Sequence, residues 1–264
     1  MGAVLLAFEG MSILSLLIQK KRIPAVIWIQ TVITFAAFVI LFMAPGNDVR
    51  VASEIATWMP GYKELSVGNH LFMTIQWMLS SFANEGKAFF IAIWAAGFLL
   101  LMKSKKAKVY QILTVVFSVA AILPYAGISF FSEMGIGDID IEQCLMELPT
   151  LQSTTTQNRI AFFWWIVAVL FTLVLLWKVT GHSVFISMVF LGGIASEAVL
   201  HFSPTIYASG ARVYYLTDLM YLFIILWMVM HMDSEKKKNL FIAGVVVLGV
   251  ANFLSQYSIM LLKL

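Results

Sequence analysis

The sequence predicts an all-α protein, a polytopic transmembrane bundle of about eight spans with one further helix that lies in the outer interface or is re-entrant. Three observations predict this class. The 264 residues are 61% hydrophobic, which is enough for about eight spans of roughly 20 residues each. Only 12% of the residues are charged, and most of the basic ones fall in alternate loops. This composition excludes a soluble globular enzyme, a disordered chain and a nucleic-acid binder.

The apolar residues form eight runs, each close to the length that a spanning helix needs. The runs cover residues 2–18, 24–44, 88–102, 109–131, 160–177, 183–200, 213–232 and 240–262. The first run is not a signal peptide, because it has neither a basic leader nor a cleavage site of small residues. We expect one transmembrane domain over residues 1–264, and its abrupt start hints that upstream helices are lacking.

The basic residues predict the orientation. The loops after runs one, three, five and seven hold eleven of the 17 lysines and arginines. They are Lys20, Lys21, Arg22, Lys103, Lys105, Lys106, Lys108, Lys178, Lys236, Lys237 and Lys238. The positive-inside rule places these loops in the cytoplasm, so both termini are expected outside. The absence of an Asn-x-Ser/Thr sequon suits a bacterial source and hence the bacterial cytoplasmic membrane.

Three outer loops follow from this orientation, over residues 45–87, 132–159 and 201–212. They are long, whereas the inner loops are tight and basic, which suggests that the outer surface carries the function. The alternative is that these loops only cap the bundle.

The segment 66–84 is apolar enough to suggest a ninth span, which would move the Lys103–Lys108 cluster outside. Its polar residues recur near helical spacing, a pattern that favours an amphipathic helix in the outer interface. These residues are Ser66, His70, Thr74, Ser81 and Asn84. We therefore expect an interfacial or re-entrant helix.

The first motif with chemical interest lies at the outer end of the second run, in Ala44-Pro45-Gly46-Asn47-Asp48-Val49-Arg50. Proline and glycine end the helix and allow a tight turn. Arg50 then lies just beyond the membrane edge, where arginine can hold a phosphate through two hydrogen bonds. The alternative is a simple helix stop in which Arg50 pairs with Asp48 or Glu54.

A second motif lies where the sixth run ends and the seventh begins. Glu197 and His201 share one helix face, Ser203-Pro204 breaks the helix, and Ser209-Gly210 turns the chain back towards Arg212. Hydroxyls, a turn and an arginine make an anion cradle. Asp218 follows within the seventh run, and a carboxylate at this depth needs a partner or a wet cavity. A hydrogen-bonded turn, with Arg212 neutralising Glu197 or Asp218, is the alternative.

Glu9 lies midway along the first run. An intramembrane carboxylate indicates a functional site by default, but Glu9 can equally pair with a polar group of a neighbouring helix.

The predicted outer loop at 132–159 contains Asp138, Asp140 and Glu142 in alternation. If the loop is extended, the three carboxylates point to one side and can bind a divalent metal such as Mg²⁺, Mn²⁺ or Ca²⁺. A solvated acidic loop is the favoured interpretation, and no cofactor is certain.

The two motifs together, Ala44 to Arg50 and Ser203 to Arg212, resemble a bacterial family of uncharacterised polytopic membrane proteins. That family is similar to the C-type (GT-C) glycosyltransferases, which use polyprenyl-phosphate sugars. C-type enzymes carry a catalytic acidic residue in the first outer loop, and no residue here matches that position. The chain therefore resembles the C-terminal part of such a protein, or a reduced relative.

The resemblance implies a glycosyltransferase-like protein of cell-envelope polysaccharide assembly, whose partners are a membrane lipid, a polyprenyl-phosphate sugar and a glycan acceptor. Arg50 and Arg212 would hold the donor phosphate, and Glu197 or Asp218 would accept a proton from the acceptor hydroxyl. We expect one outward-opening cavity lined by Asn47, Arg50, Glu197, His201, Ser203, Ser209, Arg212 and Asp218.

Two other functions remain open. A transporter or flippase would use Glu9, Glu197 and Asp218 as an ion path, although the absence of an internal repeat counts against it. The other is a non-catalytic membrane scaffold subunit.

Overall fold

The computed structural model describes residues 2–84, 86–102, 104, 107–122, 148, 150, 155–181, 183–200 and 214–261, without the side chains of 2–4, 42, 47, 157, 200 and 251–261. Over these residues the regular structure is entirely helical. The ten α-helices are α1 (Gly2–Ile18), α2 (Ala25–Phe42), α3 (Asn47–Trp58), α4 (Val67–Asn84), α5 (Lys87–Leu101), α6 (Lys108–Ile122), α7 (Thr156–Val179), α8 (Val184–Leu200), α9 (Tyr215–Met230) and α10 (Glu235–Leu261). One 3₁₀ turn, Tyr62–Glu64, lies between α3 and α4.

The all-α prediction is confirmed, and each of the eight apolar runs contains one helix. The segment expected to be an interfacial or re-entrant helix is also helical, as α4. Residues 45–87 contain one further helix, α3, that the sequence analysis does not predict. Helix α2 ends as expected at the Pro45-Gly46 turn, where Gly46 adopts φ +86°, a left-handed conformation that glycine takes without strain.

Helix α5 lies in the middle of the fold, where it packs against α4, α6, α7, α9 and α10. Its buried Phe90 contacts three other buried aromatic rings on different helices: Trp165 at 5.8 Å, Phe190 at 6.1 Å and Tyr221 at 5.8 Å between ring centroids. The indole N–H of Trp94, one turn further on, donates to Thr172 Oγ1 over 2.8 Å. This aromatic core fixes α5, α7, α8 and α9 to one another.

The contacts between helices also give their directions. Along α5 and α7, Phe90 meets Trp165, Trp94 meets Thr172, and Gly97 meets Leu175, so these two helices run the same way. Helix α8 runs opposite to α9, because Ser196 meets Thr217 whereas Phe185 meets Phe223. Helices α7 and α8 are joined by a tight turn around Gly181, which has φ +63°. Helices α5, α7 and α9 therefore point in the same direction.

Two neighbouring glycines of α8 serve two different interfaces. A Cβ added at Gly192 would lie 3.5 Å from Phe8 on α1, and a Cβ added at Gly193 would lie 3.1 Å from the Tyr221 ring on α9. Because glycine lacks a side chain, α8 approaches both helices closely. Helix α1 also packs against α2, so α1 joins α2 to the rest of the bundle.

Large apolar side chains cover much of the outer surface. Val26 and Ile40 on α2 are each 70% exposed, and similar residues line the outside of α6, α7, α9 and α10. Helix α4 is arranged in the same sense: its polar Thr74 and Ser81 are buried, whereas its apolar Leu71 is exposed. The buried residues of α4 are thus both polar and apolar: Thr74, Gln76, Leu79, Ser81, Phe82 and Ala83.

On length and apolarity, one described helix is able to cross a membrane alone, over Asn158–Val179. Helices α4 and α5 meet the same criteria only as a pair, bent by 68° at the break between them. Five further apolar helices are shorter, with 10–17 residues. A spanning helix needs roughly 20 residues, so the eight spans stay a prediction.

Candidate functional site

A buried group of polar side chains lies between the end of α8 and the start of α9. Ser196 Oγ donates to the Gly193 carbonyl over 2.8 Å, and Thr217 Oγ1 reaches the same carbonyl at 3.3 Å. The two hydroxyl oxygens are also 3.3 Å apart, so they link the helices directly. Gly193 has no side chain, so α8 and α9 approach closely here, and Ser196 and Thr217 can contact each other.

The two acidic residues proposed from the sequence belong to this group. Glu197 follows Ser196 and is buried, with only 1% of its surface exposed. Asp218 follows Thr217 and is half-buried. Both carboxylates lie near enough to the Tyr221 hydroxyl to interact with it electrostatically. Glu197 and Asp218 therefore share Tyr221 as a neighbour, while the cavity predicted to hold both stays a prediction.

Tyr221 was not predicted as a site residue. Its ring is enclosed by Phe82, Phe90 and Phe190, and its hydroxyl is buried with no hydrogen-bond partner among the described residues. A buried hydroxyl without a partner is costly, and it is available to bond a ligand. Its position one turn after Asp218 was the signal in the sequence, because residues three apart share a helix face.

Lys87 is a second residue that sequence reasoning missed. It is the first residue of α5 and is only 2% exposed. The positive-inside rule treats Lys87 as an ordinary outer-loop charge, since the rule depends on position along the chain and not on burial. The signal was its place directly before the apolar run that forms α5.

Arg50 is placed differently from the expectation. It lies on α3, its side chain is 75% exposed, and its Nε donates to Glu54 Oε1 over 2.8 Å. This hydrogen bond raises the pKa of Arg50 above its ordinary value. The alternative pairing of Arg50 with Glu54 is the one observed. A single exposed ion pair holds an arginine weakly, so Arg50 can exchange Glu54 for another anion.

Beside α3, the chain passes through the Tyr62–Glu64 turn. The Tyr62 ring packs edge-on against His70, with centroids 4.7 Å apart, and partial burial raises the pKa of Tyr62. His70 is thus part of the packing between this turn and α4.

Glu9 is buried on α1, with 4% of its surface exposed. Thr34 on α2 donates to Glu9 Oε1 over 2.8 Å, so the carboxyl pairs with a polar group of a neighbouring helix. Within the described part of the chain, no donor reaches its second oxygen, Oε2. One carboxyl oxygen of Glu9 therefore accepts a hydrogen bond, and the other accepts none from the described residues.

Several predicted residues fall outside the described residues. They are His201, Ser203, Ser209 and Arg212 of the second motif, Asp138, Asp140 and Glu142 of the acidic loop, and the side chain of Asn47. The shared cavity that joins Arg50 to Arg212 thus stays a prediction, as does a metal in the acidic loop. In the part of the chain that is described, no three metal-binding side chains cluster.

Comparison of the chain with protein-family models, with curated proteins and with solved structures gives no match.

Proposed function

We propose that the chain is a polytopic bacterial membrane protein that binds a polyprenyl-phosphate sugar at its outer face, as a glycosyltransferase-like component of cell-envelope polysaccharide assembly. The observation that carries this proposal is the buried group formed by Ser196, Glu197, Thr217, Asp218 and Tyr221. It combines two carboxylates with three hydroxyls at adjoining helix ends. Sugars are bound by such groups, because each sugar hydroxyl both donates and accepts hydrogen bonds.

The surface supports a membrane setting. Exposed apolar side chains cover α2 and α10, including Ile33 and Val247, each more than 60% exposed. Water-soluble monomers rarely expose continuous apolar patches of this kind, whereas a bilayer covers them. The polar side chains that α4 buries, Thr74, Gln76 and Ser81, fit the same setting, because hydrocarbon leaves a polar side chain no partner except the protein itself.

The proposed chemistry follows from the residue types. The acceptor hydroxyl oxygen attacks the anomeric carbon of the sugar, the bond from that carbon to the phosphate oxygen breaks, and the hydroxyl proton passes to Glu197. A carboxylate accepts this proton when it is ionised. The leaving phosphate gains negative charge, which Arg50 and Arg212 would stabilise.

The test is photoaffinity labelling in proteoliposomes with a polyprenyl phosphate that carries a diazirine. Unlabelled polyprenyl phosphate should suppress labelling, and the uncharged polyprenol should not. The adduct should map by mass spectrometry to peptides between Gly193 and Tyr221. Equal competition by phosphate and alcohol, or an adduct far from these helices, would contradict the proposal.

Two arginine variants test the phosphate contact. Arg50→Gln and Arg212→Gln should each weaken labelling at a fixed probe concentration, whereas Lys63→Gln, at an exposed lysine near α4, should not. Glu197→Gln should leave labelling intact, because glutamine keeps the shape of the site but cannot accept the proton. If Arg50→Gln, Arg212→Gln and Lys63→Gln lower labelling equally, only general surface charge is involved.

A further inference from the structure

Three helices end together on one side of the bundle. Gly97 on α5 packs against Leu175 on α7, and both helices end four residues later, at Leu101 and Val179. Helix α9 runs in the same direction and ends at Met230. The chain therefore leaves this end of the bundle three times, through the α5–α6, α7–α8 and α9–α10 connections.

An exposed lysine lies at each of these connections. Lys108 is the first residue of α6, Lys178 lies in the last turn of α7, and Lys236 lies in the first turn of α10. The start of α6 is held at the end of α5, because Gln111 Nε2 donates to the Leu101 carbonyl over 2.6 Å. We call the three lysines together the basic face.

The acidic residues of the α9–α10 connection are bound to other lysines. Asp233 pairs with Lys237 over 2.9 Å, and Glu235 pairs with Lys238 over 2.7 Å. Within the described part of the chain, none of the three lysines of the basic face forms an ion pair. The basic face thus presents three positive charges that the protein itself does not neutralise.

Each lysine of the basic face has an exposed apolar side chain one helical turn away, towards the middle of the bundle. These side chains are Ile112, Val174 and Leu240, four residues from Lys108, Lys178 and Lys236 respectively. Residues four apart share a helix face. A lysine stem covers apolar surface while its ammonium stays in a polar medium. Each of the three lysines therefore marks a boundary between apolar and polar surroundings.

We infer that the basic face binds the phosphate groups of anionic phospholipids. A lipid layer matches both halves of each boundary, because its acyl chains cover the apolar side chains and its phosphates neutralise the lysines. A soluble anion would meet the charge and leave the apolar side chains in water. The inference rests on the membrane setting of the proposed function and goes beyond it, since the basic face lies at the end of the bundle opposite the Glu197 group.

The test uses Trp177 as a local probe, because it precedes Lys178 and is 40% exposed. Purified full-length protein is reconstituted in vesicles of phosphatidylcholine with a minor share of phosphatidylglycerol. Either lipid carries brominated acyl chains, which quench tryptophan fluorescence on contact. The Trp177 signal is the difference between the wild-type protein and Trp177→Phe. The association constant of phosphatidylglycerol at this position, relative to phosphatidylcholine, should be about five, the factor expected for one lysine near an anionic surface.

Matched variants separate the basic face from general charge. The triple variant Lys108→Gln/Lys178→Gln/Lys236→Gln should lower the relative association constant to about one. The corresponding triple arginine variant keeps the charge and should keep the constant, whereas Lys63→Gln removes an exposed lysine near α4 and should change nothing. A constant near one in the wild-type protein, or an unchanged constant in the triple glutamine variant, would overturn the inference.

Two further outcomes identify the ligand and the cause of a failure. Millimolar inorganic phosphate should leave the relative constant unchanged, and if it abolishes the preference, free phosphate is the ligand and the inference is wrong. Quenching by neither brominated lipid would contradict both the inference and the membrane setting. The vesicles contain no polyprenyl lipid, so a failure of polyprenyl-phosphate labelling leaves this result unaffected.

Discussion

Single residues in this protein matter most where a buried polar atom has few partners. The carboxyl of Glu9 accepts one hydrogen bond, from Thr34 Oγ1, and this bond joins α1 to α2. Thr31, one turn earlier on α2, makes a hydroxyl bond of similar length, but to the Ile27 carbonyl of its own helix. The two threonines therefore form a matched pair, in which one bond crosses between helices and the other does not.

We predict that Thr34→Val destabilises the protein by about 1–3 kcal/mol, because it leaves a buried carboxyl without its donor. Thr31→Val should change the free energy of unfolding by much less. Reversible unfolding in mixed micelles, followed by circular dichroism, measures both. The double variant Glu9→Met/Thr34→Val should recover part of the loss, since neither partner then remains. Equal effects of the two threonine variants would show that the bond to Glu9 adds nothing.

At the residue scale, sequence reasoning identified the acidic residues but not what surrounds them. Glu197 and Asp218 stand out because a charge within an apolar run is rare. Tyr221, one turn after Asp218, and Lys87, directly before an apolar run, carry only weak signals, because tyrosine is common in such runs and lysine is common at their ends. Burial of these two depends on contacts between helices distant in sequence, and spacing along one chain does not contain that information.

At the scale of elements, the helices follow the hydrophobic pattern closely. Every apolar run contains a helix, because a helix satisfies the backbone of such a run internally. Helix α3 was missed because its sequence, from Asn47 to Trp58, is polar and follows a Pro-Gly turn. The one helical feature in this segment is the four-residue spacing of Arg50 and Glu54, which places the two side chains on one helix face. The same spacing also suits a simple ion pair near a helix stop. The spacing of polar residues in α4 predicts a polar face, whereas the helix buries polar and apolar side chains together.

The paired glycines of α8 give a prediction at this scale. Gly193→Ala should destabilise the protein by about 1–3 kcal/mol, because its Cβ would lie 3.1 Å from the rigid Tyr221 ring. Gly192→Ala should be neutral or stabilising by up to about 1 kcal/mol, since its nearest neighbour is at an ordinary 3.5 Å and alanine favours a helix. Thermal unfolding of the two variants, measured side by side, checks the difference. A larger loss in Gly192→Ala would contradict the close approach of α8 to α9.

Helix α4 carries its own prediction. Ser66 and Asn84 flank its two ends, and both are exposed. In a Cys144→Ser background, single cysteines at Ser66 and Asn84 should both react with a membrane-impermeant maleimide applied to intact cells, as an interfacial or re-entrant helix requires. Reaction at only one of the two positions would establish α4 as a span and would add a crossing to the eight.

At the scale of the whole molecule, the proposed membrane setting predicts an orientation for the bundle. Apolar side chains face outward on helices in every part of the fold, and the buried polar group lies at the α8–α9 junction. The basic loops predict which side of the membrane this junction faces. The positions of the basic residues predict this orientation, whereas the packing of the helices is the same in either orientation.

Cys144 makes the orientation testable in the natural sequence, because it is the only cysteine in the chain. The predicted topology places it outside, so an impermeant maleimide should label it in intact cells after the outer envelope is opened. The matched control is Ser234→Cys in a Cys144→Ser background, which lies before the basic cluster at Lys236 and should react only after the inner membrane is permeabilised. The reverse pattern would invert the bundle and place the Glu197 group on the cytoplasmic side. The proposed polyprenyl-phosphate site lies at the α8–α9 junction, and the positive-inside rule predicts that this junction faces outward. An inverted bundle would therefore exclude a site at the outer face.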